Sequence, residues 1–182
     1  VVEGNTGSST AVFTVSLDTA SGRTVGVNYA TADATASSSS DYSATSGSLA
    51  FAPGVTSRTI SVIISGDFQV EADETFNLNL SSPSNAAIAD AQAVATIQND
   101  DSAGVSLIES GGNTAVTEGG ATDSYTLVLS SQPSANVSIA LTGTQVTASP
   151  TPVVFTSANW NTPQTVTVTA IDDAVAEATP HA

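Results

Sequence analysis

The chain has 182 residues, with 17 acids against two basic residues, Arg23 and Arg58, and a formal net charge of −15. That balance leaves no electropositive surface for nucleic-acid phosphates or an anionic membrane, so cations are its natural counter-ions. Aliphatic and aromatic residues make up 40 %, enough for packed cores in one or two domains, and the lack of cysteine and methionine removes disulfides, thiolate chemistry and soft metal ligands.

From the N-terminus onward the apolar period is two, the signature of half-buried antiparallel strands. Strands are predicted over about 10–17 (Phe13, Val15 and Leu17 on one face), 24–31 (Val25, Val27, Tyr29), 46–52, 58–65 (Ile60, Val62, Ile64), 74–81 ("FNLNL") and 92–98 ("AVATI"). Between them lie turn signals: "DTASGR", the Ser- and Ala-rich 32–47 segment, "APGVTS" and "SPSNAAIAD". Helical stripes of Leu and Ala are missing, and Thr, Ser and Val stand where helix formers would be needed. No apolar run reaches the roughly 18 residues of a membrane helix. The opening "VVEG" has neither an initiator methionine nor a signal-peptide pattern, so the sequence is expected to be a segment of a larger protein.

After "NDDSAG" (99–104) a second series begins, with a leading strand near "GVSLI" and alternating runs at 125–129, 137–141, 152–155 and 164–171. "VTVTAIDDAVAE" echoes "ISVIISGDFQVE", pairing Asp173 with Asp67 and Glu177 with Glu71 at the same four-residue spacing. The reading is therefore all-β: two tandem immunoglobulin-like antiparallel sandwiches, 1–101 and 102–182. Both are expected to be incomplete, the first lacking most of its first strand and the second its last strands.

Counting reversals of direction from Glu3 brings "EGNTG", the 32–45 loop, "GDFQVEAD" and "NDD" to one end of the first module. Those segments carry Glu3, Asp33, Asp41, Asp67, Glu71, Asp73, Glu74, Asp100 and Asp101, nine of its eleven acids, while both arginines fall at the other end. Like charges at such density repel. Either a cation sits among them or water keeps them apart as a solvated face. Calcium suits the first case, because it accepts many oxygens in loose geometry; magnesium demands a stricter octahedron and zinc wants His or Cys.

Taken together, "EGNTG", "VNYATADATA…SDYSATSGSLAFAPG", "TISVII", "GDFQVEADETFNLNLSSPSNA" and "ATIQNDD" resemble the Calx-beta domain over essentially all of residues 1–101. The resemblance implies a sandwich that binds Ca2+ at one pole, with ligands at Glu3, Asp33, Asp67, Glu71, Glu74, Asp100 and Asp101. Asp73 is a further candidate, as are Glu118, Asp172, Asp173 and Glu177 in the second module. Family members in exchangers carry runs of three aspartates where this chain has "SGDF" and "NDD", which implies fewer ions. The second module resembles a repeat found beside Calx-beta domains in large bacterial proteins, chiefly through "FTSANWNTPQTVTVTAIDD".

No base, nucleophile elbow or substrate cleft accompanies the acids, so no enzyme is expected. Trp160 reads as a plug at the end of the sandwich. His181, alone near the terminus, has no assigned role. The expected protein is a calcium-binding structural or adhesive module of a large secreted or cell-surface protein, bacterial in character. Its partners would be calcium and neighbouring repeats, with no nucleic acid and no direct membrane insertion. Two alternatives remain open: a regulatory calcium sensor of a transporter or receptor, and an accessory module of a secreted hydrolase.

Overall fold

A computed structural model describes residues 1–174. The chain divides into two compact units, the first spanning Val1–Asp101 and the second beginning at Ser102. Unit 1 contains β1 (Ser8–Ser16), β2 (Val25–Asp33), β3 (Ser46–Phe51), β4 (Ser57–Ser65), β5 (Glu74–Ser84) and β6 (Gln92–Ile97). They form an antiparallel pair, β1–β4, and a four-stranded antiparallel sheet in the order β3-β2-β5-β6.

The alternation in the sequence becomes the inside and outside of this sandwich. Along β4, Ile60, Val62 and Ile64 are buried while Thr59, Ser61 and Ile63 face out. Ala11, Ile60, Val62 and Ile64 from one sheet share a core with Phe76, Leu78 and Ile97 from the other. Phe76 is its centre, stacked on Tyr42 at 4.3 Å and edge-on to Phe13 at 5.9 Å. Each such fully buried aliphatic or aromatic side chain contributes about 1.5–3 kcal/mol. At the end opposite Glu3, the β3–β4 reversal has Pro53 followed by Gly54 at φ +85°, and Val55 N–H donates to Ala52 O at 2.9 Å. Proline pre-sets the first turn residue and glycine tolerates the second, so this turn needs no help from the rest of the fold.

Unit 2 contains β7 (Val105–Glu109), a single 3-10 turn (Ser110–Gly112), β8 (Asp123–Leu129), β9 (Val137–Ile139), β10 (Val146–Ser149), β11 (Val153–Phe155) and β12 (Gln164–Ala170). Its sheets are β10-β12-β8-β7 and β11-β9. Strand β10 is not among the predicted elements: it is four residues long with one large apolar side chain, Val146, and becomes a strand by pairing with the edge of β12. Trp160 is buried, and its carbonyl accepts from Leu129 N–H at 3.0 Å.

Candidate metal centre

Backbone contacts tie the four acid-bearing segments of unit 1 together at one end. Gln98 N–H donates to Val1 O at 2.7 Å and Glu3 N–H to Gln98 O at 3.2 Å, which seats the first residues beside the end of β6. Gly66 N–H donates to Gly7 O at 3.2 Å, and Ser65 N–H to Asp41 O at 2.9 Å. Gly66 lies so close to this N-terminal segment that a Cβ there would stand 2.1 Å from Gly4 O. Only glycine allows the acidic 67–74 loop to start that close to Glu3.

At this pole Glu3 and Asp101 are 7 % and 8 % exposed, and Glu3 Oε1 and Asp101 Oδ2 are buried with no hydrogen-bond partner. Burial first, then the charges of Asp67, Glu71, Asp101 and Asp100, pushes the Glu3 carboxyl up to about 7. Burial also raises Glu71, helped by Asp67, Asp41 and Asp101. It raises Asp101 as well, with Asp100 and Asp67 adding to the effect and a hydrogen bond from Asn5 opposing it. Beside them Asp41, Glu71 and Glu74 each offer an oxygen, all within 4.8 Å of one another. Burial, then the hydrogen bond and charge of Asp41 and the charge of Glu71, carries Glu74 up to about 7. Two buried carboxylate oxygens without donors, ringed by further carboxylates, form a donor set that fits a hard cation. Both arginines are far from this pole in the fold; Arg58 Nε donates to Ala50 O at 3.1 Å.

The other expected residues are placed as follows. Asp67 is half-buried in the group and accepts from Gln69 N–H at 2.7 Å through Oδ1. Asp100 is exposed and accepts from Gly4 N–H at 3.1 Å, a direct link between the first and last segments of the unit. Asp73 accepts from Asn99 N–H at 3.2 Å. Asp33 commits Oδ1 to Tyr42 OH at 2.5 Å and Ser38 N–H at 3.0 Å, which holds its carboxyl below the usual range. Its Oδ2 has one long contact, with Ser38 Oγ at 3.5 Å. Asp41 belongs to the close group although the family resemblance does not supply it; the sequence signal for it is its position in the 32–45 loop, which the reversal count carries to this end.

Unit 2 uses its acids differently. Asp123 accepts from Ser110 OH, Ala115 N–H at 2.9 Å and Ser124 N–H at 2.7 Å, so its carboxylate locks the turn after β7 and its charge is held below the usual range. Glu109 accepts from Thr114 N–H at 3.2 Å. Glu118 is half-buried with Oε1 unpartnered, and Asp172 and Asp173 are exposed beyond β12. Glu177 and His181 lie outside the described residues.

A family model described as the Calx-beta domain matches residues 1–108. Among solved structures, the apo form of the Calx CBD1 domain is 28 % identical over 55 % of this chain and 88 % of that chain, with a TM-score of 0.45. The calcium binding domain CBD12 of CALX1.1 is 22 % identical over 87 % of this chain and 67 % of that one, at a TM-score of 0.49. CBD12 from CALX1.2 is 21 % identical over 91 % and 70 %, also at 0.49. No curated protein matches the chain.

Proposed function

The chain belongs to the Calx-beta domain family, whose members bind Ca2+, and from that premise we propose that the acidic pole of unit 1 holds calcium and that the ion stiffens a structural, adhesive module of a large secreted or cell-surface protein. The holding residues would be Glu3, Asp41, Asp67, Glu71, Glu74, Asp100 and Asp101, with Asp33 at the margin. The observation that carries this reading is the pair of buried, unpartnered oxygens, Glu3 Oε1 and Asp101 Oδ2. An unpaired buried carboxylate costs free energy, and Arg23 and Arg58 lie at the other end of unit 1, before β2 and at the start of β4. Bound calcium would supply two positive charges and accept oxygens at about 2.3–2.6 Å.

The stiffening follows from connectivity. Asp100 and Asp101 end unit 1, and Ser102 follows them directly. Fixing both aspartates against Glu3 and the 67–74 loop would leave little free link, because Ser102 O already accepts from Ser130 OH at 2.8 Å and Gly104 O from Ser130 N–H at 3.0 Å. Extracellular calcium modules bind at about 10⁻⁴–10⁻³ M, which suits permanent saturation outside cells better than signalling.

The test is thermal unfolding of the chain in chelator and in millimolar calcium. A ligand at about a hundredfold excess over its Kd stabilises the folded state by about 2.7 kcal/mol, and magnesium should do much less. Equal midpoints in chelator and calcium would leave only a solvated acidic face. Small-angle scattering with and without saturating calcium tests the stiffening separately: an unchanged distance distribution rejects it while leaving the site intact.

A further inference from the structure

We propose that Tyr42 is a positioning residue of the acidic pole: its hydroxyl, donated to Asp33 from a ring seated on the core, holds the 33–42 loop closed and so sets Asp41 against Glu71 and Glu74. This rests on the calcium reading of the pole and concerns a side chain that is not itself among the holding residues. Asp33 ends β2, and Tyr42 lies beyond the loop that follows. Thr31 N–H donates to Thr45 O at 2.9 Å and closes the base of that loop. The bond from Tyr42 OH to Asp33 Oδ1, at 2.5 Å, is the next tie towards the pole.

The loop has little apolar surface to hold it. Between Asp33 and Tyr42 it reads "ATASSSSD", and of these residues only Ala36 is buried. A methyl group anchors weakly, whereas an aromatic ring buries roughly 150–250 Å². Tyr42 is 2 % exposed, and its ring stacks on Phe76 at 4.3 Å with 15° between the planes. Its backbone bridges Ile64 of β4, with Ser43 N–H donating to Ile63 O at 2.8 Å and Ser65 N–H to Asp41 O at 2.9 Å. The ring is thus fixed from both β4 and β5.

Stack and strand together place the carboxylates. Alternation along β5 puts Glu74 on the same inward face as Phe76 and Leu78, one step nearer the pole. Asp41 directly precedes the residue stacked on Phe76. Ala36 N–H donates to Thr75 O at 2.9 Å, and Thr75 N–H donates back to Thr35 Oγ1 at 2.7 Å, which seats the loop on β5 between Glu74 and Phe76. Asp41 Oδ2 accepts from Ser37 N–H at 2.7 Å, so that carboxylate travels with the loop. The result is the close approach of Asp41, Glu71 and Glu74, whose charges repel before an ion arrives. A loop free to open would relieve that repulsion by carrying Asp41 away.

The core does not require the hydroxyl. Phenylalanine offers the same ring to Phe76, and the hydroxyl instead leaves the core to meet an exposed carboxylate. The other firm bond to Asp33 Oδ1 comes from Ser38 N–H at 3.0 Å, within the loop itself. Ser38 moves with the loop, whereas Tyr42 is seated on Phe76. Groups that orient metal ligands without touching the ion change affinity by about 10–100-fold when removed.

The test is calorimetric calcium titration of the 182-residue chain and of Tyr42→Phe, which keeps the ring and removes only the hydroxyl. Both are titrated well below their unfolding midpoints in chelator, so Kd is that of folded protein and a purely structural loss would leave it unmoved. Tyr42→Phe should weaken calcium binding about tenfold. In an Asp33→Ala background the same exchange should change Kd by less than about twofold, because the hydroxyl has no carboxylate left to hold. Equal Kd for the parent chain and Tyr42→Phe overturns the proposal and leaves the calcium site standing. A loss of the same size in the Asp33→Ala background overturns it too, since the hydroxyl would then act on the fold at large. No calcium binding by the parent chain overturns the calcium reading itself and takes this proposal with it.

Discussion

The two units share a ladder and part in what they do with carboxylates. In unit 2 Asp123 has three donors and Glu109 one, and these acids close the turn between β7 and β8. In unit 1 Glu3 Oε1 and Asp101 Oδ2 are buried without donors, and Glu71 and Glu74 crowd Asp41. A carboxylate that satisfies its own backbone is a turn element. One that is buried and left without donors needs a cation or a proton. Acid content alone would not separate the two units, and unit 2 also holds one such oxygen, Glu118 Oε1; what separates them is the crowding of further carboxylates around the buried oxygens of unit 1.

The sharpest way to break this difference is at Gly66. Its aligned residue in unit 2 is Asp172, which is exposed. In unit 1 a Cβ at this position would meet Gly4 O at 2.1 Å and Glu3 O at 2.9 Å. Both contacts are backbone, so the N-terminal segment must move. Gly66→Ala should destabilise unit 1 by about 3 kcal/mol and reduce its response to calcium. The sole tryptophan, Trp160, lies in unit 2. Its fluorescence midpoint should stay in place while the far-ultraviolet circular dichroism transition of unit 1 falls. Normal calcium stabilisation in this variant would remove the close approach from the account of the site.

The converse change is Asp123→Ala, which strips three donors of their acceptor in unit 2. The expected result is a lower Trp160-detected midpoint and an unchanged calcium titration. A weakened titration would mean that the acids of unit 2 belong to a site after all.

Most of the fold could be read in advance because strand alternation is local: Ile60, Val62 and Ile64 declare a face without reference to anything else. Strand β10 could not, since four residues around Val146 hold no pattern and owe their conformation to β12. Within the pole, the reversal count groups acids by end but says nothing of which oxygens meet. Asp33 and Asp41 lie in one loop and look alike in sequence. Tyr42 and Ser38 hold Asp33, whereas Asp41 meets Glu71 and Glu74 because Ser65 N–H is bonded to its carbonyl from β4. That choice is made by tertiary contacts.

Acidity offers a third comparison, between unit 1 with and without calcium. Glu3 and Glu74 have folded-state values of about 7 against an ordinary 4.5. Folding therefore binds these protons more tightly, and in chelator the contribution of these two groups to stability is fully present below about pH 4.5 and is lost as pH rises through 7. Solvent screening limits the change to about 1 kcal/mol. Calcium requires the deprotonated groups, so its stabilising increment should grow over the same window. Midpoints that rise with pH in chelator would contradict the assignment of unpaired carboxylates.

The smallest effects should come from the far end of unit 1, and they decide between a defined site and diffuse attraction by a net charge of −15. Asp18 follows β1 and Asp90 precedes β6, at the end of unit 1 opposite the acidic pole, and the nine residues of β1 between the two ends span about 30 Å. At about 0.1 M salt the screening length is about 10 Å, so a charge at that distance is nearly invisible to an ion at the pole. Asp18→Asn and Asp90→Asn should therefore each alter stability by less than about 0.5 kcal/mol and leave calcium affinity within about twofold. Glu71→Gln and Asp101→Asn remove the same single charge inside the group and should weaken binding by about tenfold or more. Calorimetric titration of the four variants at fixed salt makes the comparison, with each variant carrying the same net charge. Equal losses at the two ends would mean that calcium responds to the total charge of the chain, and the buried oxygens of Glu3 and Asp101 would then need another explanation.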